Sequence, residues 1–262
     1  VFREGIGCVV MPPGMALEAT AAFPSLPSSK FQSDLESVPW PLGDQIPAPV
    51  LPTARKAEVQ AGSDWAFDRV SPEQVTVSLL IVEGGQIIHE RYAPGFDRHT
   101  KTRTWSTAKS IAATLIGMRI DEGSLTLDQS LNVDWLPKLK SAGSDPRDAI
   151  TLQHALHMST GLYPVDSFRM EYATGSGLSY WAGASSVMGA LNRGLVREPG
   201  SYWEYENYDT LLAGLALKQS FKDPMDYLSY PQTALFGPLG MNSTLASTDR
   251  FGDFIFSSQV YT

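Results

Sequence analysis

The sequence TRTWSTAKSIAATLIGM, residues 102–118, begins with polar side chains that can cap a helix and continues with Ala, Ile, Leu and Met at helical spacing. This pattern predicts an apolar, largely buried helix from about Ser106 to about Glu122. Gly123 follows at a position where glycine commonly ends a helix. The first turn of this helix holds the residues that suggest a chemistry.

Ser106 and Lys109 stand three positions apart, so a helix brings both side chains to one face. A serine at a helix N-terminus lies among unpaired N–H groups and the positive end of the helix dipole, which stabilise an alkoxide or an oxyanion. Burial against an apolar helix lowers the pKa of a lysine and lets it accept the serine proton. The pair is therefore a candidate nucleophile and base. The alternative is a capping serine beside a solvated lysine.

Length and composition describe an ordinary globular protein. The chain has 262 residues, 43% hydrophobic and 18% charged, which is enough for one large domain or two small ones with a proper core. The net charge of −8 and the pI near 5.0 argue against nucleic acid or an anionic membrane surface as the main partner.

The cysteine and histidine content predicts no metal and no cofactor. Cys8 is the single cysteine, so neither an internal disulfide nor a thiolate cluster is expected. The four histidines form no known ligand pattern, and His154 and His157, on a probable short helix, are interpreted as structural.

The sequence leaves the cellular compartment open. It holds no apolar run long enough for a membrane span. The first residue is Val, which indicates a processed, trimmed or partial start. The single cysteine and this start fit a cytoplasmic protein as well as an exported bacterial one, and we lean towards an exported, periplasmic location.

Residues 1–60 hold nine of the 18 prolines. This density disfavours long helices and central strands, so we expect an extended arm that drapes over the main body, with one short strand at Gly7–Met11. A flexible linker is the rival interpretation, but Phe23, Phe31 and Trp40 are among the apolar anchors that a pure linker would lack.

Residues 75–92 give the clearest strand signal. Two β-branched runs, Val75–Val82 and Gln86–Tyr92, flank the turn Glu83-Gly84-Gly85, which predicts a β-hairpin. Because two strands are not stable alone, this hairpin must pair with others.

The later part of the chain alternates short helices and loops. A short helix is expected with Thr151 as its cap and Gly161 as its end. Residues 163–200 are typical of a loop-and-short-helix lid. Its neighbourhood holds six aromatic residues that form either an apolar-walled cleft or core: Tyr163, Tyr172, Tyr180, Trp181, Tyr202 and Trp203.

A polar-aromatic turn then leads from Pro199 into a helix through about Leu217. Tyr205 and Asn207 stand two apart in an extended or turn segment, so both side chains could face one pocket. The alternative is that Tyr205 packs in the core and Asn207 caps the helix.

Taken together, five segments in order resemble the serine beta-lactamase and penicillin-recognising hydrolase superfamily. They are STAK, DEGSLTLD, ITLQHALHMSTGL, PGSYWEYENYDTLLAG and FGPLGMNST. The resemblance covers roughly residues 75–262 and is strongest to the class C branch, and within it to esterases and 6-aminohexanoate-dimer hydrolases. It implies an α+β fold, an α/β sandwich with a mostly helical domain, of the beta-lactamase/transpeptidase type.

The resemblance also implies roles for four residues. Ser106 matches the acylated nucleophile and Lys109 the lysine of the first motif. Tyr205 matches the proton-shuttling tyrosine of Y-x-N, and Asn207 the asparagine that contacts substrate and lysine. The middle residue, Glu206, departs from the pattern, because a carboxylate there adds negative charge near the site unless it points to solvent.

The family's third motif, K-[ST]-G or H-x-G on the innermost strand, is missing from the sequence. We therefore expect that the C-terminal strands and helix of the α/β domain lie in sequence not present here, and that this remaining part is a partner of the chain. The expected domains are an arm (1–60), N-terminal strands of the α/β domain (61–105) and a helical domain carrying the site (106–262).

The resemblance implies a serine hydrolase that cleaves a small-molecule carboxylic ester or linear amide through an acyl-enzyme. A D,D-peptidase or penicillin-binding protein, a beta-lactamase and a non-catalytic ligand-binding relative are the alternatives. Since the second oxyanion donor of the family comes from the inner strand, we expect weak activity, because losing one such donor costs roughly 10²- to 10³-fold. A classical α/β-hydrolase is disfavoured because no G-x-S-x-G occurs.

Overall fold

The computed structural model describes residues 1–26, 37–46, 51–68, 70–137, 145–165 and 168–262. The chain forms two compact units. The first takes in residues 1–26, the described residues from 103 to 236, and residues 244–262, and the second takes in the described residues from 37 to 102 and residues 237–243. The limits expected at residues 60 and 105 stay predictions.

The strands and helices are short, and most helices lie in the first unit. The strands are β1 (Phe2–Arg3), β2 (Gly7–Cys8), β3 (Ser78–Glu83), β4 (Gln86–Tyr92), β5 (Leu245–Ala246) and β6 (Val260–Tyr261). The α-helices are α1 (Thr53–Phe67), α2 (Ala108–Asp121), α3 (Leu152–Leu156), α4 (Phe168–Thr174), α5 (Leu178–Trp181), α6 (Met188–Leu191), α7 (Asn207–Gln219) and α8 (Pro224–Tyr230).

The predicted hairpin is confirmed as the antiparallel pair β3–β4 of the second unit. Glu83 pairs with Gln86 across the turn, and the register shifts between Ile81 and Val82. Gly84 and Gly85 have φ angles of +57° and +77°, which a two-residue turn of this hand requires and which glycine adopts without strain.

Helix α1 corrects the prediction for the end of the N-terminal arm. We expected no long helix up to residue 60, yet α1 begins at Thr53. The reason is positional: Pro52 is the N-cap residue, outside the helix, and no proline follows in α1. The helix contacts the hairpin through Arg91, which donates to Ser63 Oγ at 3.1 Å and to Asp64 Oδ1 at 2.9 Å.

The predicted helix at residues 106–122 is confirmed, with one refinement at each end. A 3₁₀ turn at Trp105–Thr107 precedes α2, and the helix stops at Asp121, just before Gly123 with φ of +73°. The helix is less buried than predicted. Its buried residues are Ala108, Ala112, Leu115 and Ile116, which lie on one face, whereas Ser110, Ala113, Thr114, Gly117 and Asp121 are exposed.

Helix α3 confirms the predicted cap but not the predicted end. Thr151 Oγ1 accepts the His154 backbone N–H at 3.3 Å, and His154 Nδ1 accepts the Thr151 N–H at 3.2 Å, so this histidine completes a capping box. The helix ends at Leu156, well before Gly161. Gly161 has φ of +74° and a Cβ there would collide with the Arg197 carbonyl, so it serves a close chain crossing instead.

Helix α7 forms the centre of the first unit. It packs against α2, α3, α6 and α8, and residues 208–214 are buried without interruption. This burial on all sides fixes the start of the helix, and with it Asn207, relative to the start of α2.

Residues 252–260 are a buried segment of the first unit that turns at residues 256–258. Phe254 stacks on Phe256 with ring centroids 4.9 Å apart, which anchors the segment in the core. The segment ends beside the start of α2, where the Thr104 N–H donates to the Val260 carbonyl at 2.8 Å. Across the described residues, none of the helices is both long enough and apolar enough for a membrane span.

Candidate active site

Ser106 lies at the exposed start of α2, inside the 3₁₀ turn. The residue before it, Trp105, has φ of +49°, a left-handed conformation that is unusual for a bulky side chain. The Trp105 ring is held by the Arg103 guanidinium, which lies 3.6 Å from the ring centroid. Backbone strain of this kind is often found at functional sites, where the surrounding structure maintains it.

Lys109 is the centre of the hydrogen-bond network at this site. Its Nζ atom donates to Asn207 Oδ1 at 2.7 Å, to the Ser257 carbonyl oxygen at 2.8 Å and to Ser106 Oγ at 3.3 Å. The solvated-lysine alternative is therefore wrong, because all three donors of the ammonium group have protein partners.

The environment of Lys109 shifts its protonation equilibrium towards the neutral form. Burial lowers the pKa of its amine below the ordinary 10.5, although a hydrogen bond and charge interaction with Tyr205 and the charge of Glu171 act in the opposite direction. Because the net direction is downward, the fraction of neutral Lys109 near neutral pH is larger than for a solvated lysine.

Tyr205 approaches Ser106 from the other side, at the end of the extended segment before α7. Its hydroxyl donates to Ser106 Oγ at 2.6 Å, and its side chain is 50% exposed. Burial alone would raise the pKa of this hydroxyl, but hydrogen bonds to Ser106 and Lys109 and the charge of Lys109 bring it below the ordinary 10.0. The alternative of a core-packed tyrosine is therefore wrong.

Asn207 is the first residue of α7 and joins the lysine to a buried carboxylate. Its Oδ1 accepts from Lys109 at 2.7 Å, and its Nδ2 donates to Glu171 Oε1 at 2.9 Å. Glu206, not Asn207, occupies the N-cap position, and its side chain makes no capping hydrogen bond. The structure thus brings all four predicted residues into one network.

Sequence reasoning missed Glu171 and Ser257, and it considered Tyr180 only as one of the six aromatic residues of a cleft or the core. Glu171, on α4, is only 9% exposed and also accepts from Ser176 Oγ. Ser257 contributes a backbone carbonyl, which has no sequence signature, and its side chain is fully buried. The Tyr180 hydroxyl lies 2.6 Å from Ser258 Oγ.

Arg103 links this missed group to the start of α2. Its Nε donates to the Ser258 carbonyl at 3.0 Å and its guanidinium lies over the Tyr180 ring, 4.4 Å from the centroid. Its contact with Trp105 uses the same guanidinium. One arginine therefore ties residues 257–258, which carry the lysine-binding carbonyl, to the turn that carries Ser106.

Glu206, the departure from the family motif, does not point freely into solvent. Its side chain is half-buried, and Oε1 accepts the Val165 N–H at 2.6 Å. Burial raises the pKa of this carboxyl to about 7, against the effect of that hydrogen bond and of the Arg193 charge. The negative charge expected from Glu206 is therefore partly lost near neutral pH.

The aromatic residues around the site are mostly exposed rather than core. Tyr163, Trp181, Tyr202 and Trp203 are each more than half exposed, whereas Tyr172 and Tyr180 are half-buried and contact each other edge to face. A cleft of about 570 Å³ is lined by residues 156–159 and 200–203, which include Tyr202 and Trp203. The chain continues from this cleft directly to Tyr205.

No cluster of three or more histidine, cysteine or acidic side chains suited to a metal ion occurs among the described residues. The hydrogen-bond network instead presents a serine hydroxyl to two proton-carrying groups, Lys109 and Tyr205. An arrangement of this kind activates a serine as a nucleophile.

Comparison with known proteins identifies the class of protein. A helix-borne serine and lysine within an α+β fold define a serine beta-lactamase-like protein, and a family model for beta-lactamase matches residues 67–257. The chain belongs to the beta-lactamase family. The predicted superfamily and fold class are confirmed.

Solved structures of the same fold come from several bacteria. A candidate 6-aminohexanoate-dimer hydrolase from Bacillus anthracis matches with a TM-score of 0.52 at 17% identity, over 71% of this chain and 50% of that one. FmtA from Staphylococcus aureus matches with 0.58 at 12% identity, over 87% and 68%. A class C beta-lactamase variant matches with 0.55 at 15% identity, over 82% and 64%.

At these identities the likeness shows the fold. The chain spans about half the length of the first of these proteins, 50% of it. Their activities are properties of those proteins, so the reaction of this chain has to be argued from its own site.

Proposed function

We propose that this protein is a serine hydrolase that cleaves a carboxylic ester or a linear amide through an acyl-enzyme on Ser106. The observation that carries the proposal is the position of Ser106 Oγ, which lies 2.6 Å from the Tyr205 hydroxyl and 3.3 Å from Lys109 Nζ. Membership of the beta-lactamase family, with its hydrolase neighbours, supports the general class of reaction.

The contacts of Lys109 suggest how it acts as a base. A neutral amine has two N–H donors and one lone pair. Asn207 Oδ1 and the Ser257 carbonyl are acceptors only, so they engage both donors. The lone pair of the neutral amine then faces its third neighbour, Ser106 Oγ. The network therefore orients the base towards the hydroxyl that must lose a proton.

In the acylation step, Ser106 Oγ attacks the substrate carbonyl carbon while its proton passes to neutral Lys109. The oxyanion forms near the Ser106 N–H, at the start of α2, where the helix dipole is favourable. The tetrahedral intermediate then collapses, and the bond to the leaving group breaks as Tyr205 donates its proton to the departing alcohol or amine. Lys109 passes the proton that it took from Ser106 to Tyr205, which restores both groups. Asn207 holds the lysine and contacts the substrate.

Deacylation repeats the sequence with water. The same relay takes a proton from water, the hydroxide attacks the ester carbonyl, and the Ser106 oxygen leaves with the proton returned. The acid product is released and the enzyme is restored. Because Lys109 must be neutral to start each step, the rate should rise with pH as Lys109 loses its proton.

The substrate class is supported by the surroundings of Ser106. Trp105 and Tyr205 are both about half exposed and next to the nucleophile, and the cleft is lined by Tyr202 and Trp203, which precede Tyr205 in the chain. Exposed rings of this kind suit an acyl chain or a linear amide with apolar segments. One solved structure of the same fold is a candidate 6-aminohexanoate-dimer hydrolase.

The test is covalent labelling with a fluorophosphonate serine probe, followed by intact mass. The protein and the variant Ser110→Ala should each gain one adduct, and Ser106→Ala should gain none. Ser110 is the matched control because it is an exposed serine one turn further along the same helix. We expect slow labelling, since only one oxyanion donor is assigned.

Other results of this labelling experiment, or of a reaction with penicillin, would favour a different function. An adduct that persists in Ser106→Ala, or no adduct in the wild type, would contradict Ser106 as the nucleophile and favour a ligand-binding role. Stable acylation of Ser106 by penicillin with slow release would instead favour a D,D-peptidase or penicillin-binding protein, and rapid turnover of penicillin a beta-lactamase.

A further inference from the structure

The carboxylate of Glu171 is buried directly behind the candidate active site. It is only 9% exposed, and its Oε1 accepts Asn207 Nδ2 at 2.9 Å and the Ser176 hydroxyl. Burying a carboxylate is costly unless hydrogen bonds or charges compensate it. The two hydrogen bonds to Oε1 compensate for burial and fix the position of the Glu171 carboxylate.

The backbone around Glu171 folds closely over it. The N–H groups of Gly175 and Gly177 donate to the Glu171 carbonyl at 3.1 and 3.2 Å. A Cβ atom at Gly175 would collide with Glu171 Oε2, and one at Gly177 would lie 2.7 Å from the Glu171 carbonyl oxygen. Only glycine therefore lets the Gly175-Ser176-Gly177 loop close on this carboxylate.

The orientation of the Asn207 amide depends on this carboxylate. In the observed orientation the amide oxygen faces the Lys109 amine and the NH₂ group faces Glu171. The flipped amide would place NH₂ against Lys109 and oxygen against the carboxylate, and both contacts are repulsive. Glu171 therefore selects the orientation in which Asn207 accepts from Lys109.

We propose that Glu171 is a positioning residue that acts through Asn207 to hold Lys109 against Ser106, an inference that rests on the proposed hydrolase function. Glu171 makes no hydrogen bond to Ser106 or Lys109 in the network, because Asn207 lies between Glu171 and Lys109. Its effect reaches the nucleophile in two ways: through the geometry of the amide and through the negative charge.

The charge makes a separate, testable contribution. The groups whose charges act on Lys109 are Tyr205 and Glu171, and both raise the pKa of its amine against the larger effect of burial. The Glu171 charge also acts on Glu206 and Tyr208. Removing the Glu171 charge should lower the pKa of Lys109 further. The acylation rate should then reach half of its maximum at a lower pH.

Two variants separate charge from geometry. Glu171→Gln keeps the length and an acceptor oxygen for Asn207, so the pH at half-maximal labelling should fall by about one unit, at the lower end of what a nearby charge contributes. Glu171→Asp keeps the charge but shortens the side chain, so the maximal labelling rate should fall by roughly 10²-fold, as for a group displaced by about 1 Å, with little change in the pH midpoint.

The experiment measures the fluorophosphonate labelling rate against pH for the wild type, both variants and the control Glu198→Gln. Glu198 is an exposed carboxylate and its loss should change neither quantity. A second readout does not need activity: the ¹³Cε resonance of Lys109, assigned with Lys109→Arg, is titrated in each protein. Its midpoint should be lower in Glu171→Gln than in the wild type.

The two readouts distinguish the possible failures. If the wild type is never labelled, the proposed function is refuted. If the midpoint of the Lys109 titration is nevertheless lower in Glu171→Gln, the effect of Glu171 on Lys109 still stands. Unchanged pH profiles and unchanged Lys109 titration in a labelled, folded Glu171→Gln would overturn the role of Glu171. If Glu171→Gln does not fold, a Glu171→Asp variant labelled at the wild-type rate would overturn it equally.

Discussion

The inner and outer sides of the candidate active site differ sharply in their surroundings. On the inner side, defined as Lys109, Asn207, Glu171 and the Ser257 carbonyl, the polar atoms bind one another and burial controls the pKa of the amine. On the outer side, defined as Trp105, Ser106, Tyr205 and Trp203, each side chain is exposed.

This difference separates two tasks within one site. The inner side has little freedom to rearrange, so it can fix the geometry and proton affinity of the base before substrate arrives. The outer side is open to solvent, so it can accept substrates of varied shape. Substitutions inside should therefore act mainly on the rate constant of acylation, and substitutions outside mainly on substrate affinity.

The largest expected effect comes from removing the base on the inner side. Lys109→Met keeps the length of the side chain but removes the amine, and should slow labelling of Ser106 by about 10³-fold or more. The measurement is the time course of adduct formation by intact mass. Lys222→Met, at an exposed lysine, is the matched control and should label at the wild-type rate.

Tyr205 stands between the two sides, since it is half exposed yet bonded to Ser106. Tyr205→Phe keeps the ring and removes the proton carrier, so the rate should fall by roughly 10²-fold, within the range for a general acid or base. The same time course measures it, with Tyr163→Phe as the control at an exposed tyrosine outside the cleft lining. Equal rates for the two variants would remove Tyr205 from the relay.

A smaller effect is expected from the cleft on the outer side. Trp203 is 65% exposed and lines the cleft of residues 156–159 and 200–203. Trp203→Ala should raise KM for nitrophenyl esters with long acyl chains by about 10-fold and leave kcat nearly unchanged, because about 10-fold is the lower end of the effect of one apolar contact. Esters with short acyl chains are the control. A fall in kcat alone would contradict the division into two sides.

The smallest effect on activity, with a clear effect on stability, is expected at Asp209 of α7. Asp209 is 2% exposed and accepts from Thr160 Oγ1 at 2.8 Å, and burial raises the pKa of its carboxyl to about 7 from 3.8. The folded state thus binds a proton that the unfolded state releases, so this contribution is complete below about pH 4 and is lost as the pH rises through about 7.

Thermal unfolding between pH 4 and pH 8 tests this sign. The wild-type Tm should fall as the pH rises, and Asp209→Asn should show a shallower fall. Glu206 has a carboxyl whose pKa is raised in the same direction, so part of the slope should persist. A wild-type Tm that rises with pH over this range, or an unchanged slope in Asp209→Asn, would contradict the burial argument.

The sequence predicted the parts of the structure that depend on local signals. Helix α2 and the β3–β4 hairpin follow from residue periodicity and from glycines at turns, and the structure has both close to the expected limits. Helix α1 was missed because the many prolines before it were taken to exclude a helix, although residues 53–67 contain no proline. The end of α3 was misplaced because Gly161 serves a crossing of two chain segments, which local sequence does not reveal.

The residues of the candidate site also fall into those that local sequence predicts and those that it does not. Ser106, Lys109, Tyr205 and Asn207 belong to short motifs, so they could be chosen from the sequence, and the structure brings them together. Glu171 stands 36 positions before Asn207 and belongs to no motif. The Ser257 carbonyl is a backbone atom that any residue provides. Both contacts arise from tertiary packing around α7, which the pattern of residues does not encode locally.

The central claim, an acyl-enzyme on Ser106, is tested most directly by trapping it. The protein is mixed with excess 4-nitrophenyl acetate, the release of nitrophenol is followed from the first seconds, and the quenched protein is digested and mapped by mass. We predict a burst of nitrophenol and an acetyl group on the peptide containing Ser106, both absent from Ser106→Ala. Linear release without a burst, equal in wild type and Ser106→Ala, with no acetylated Ser106, would contradict the account.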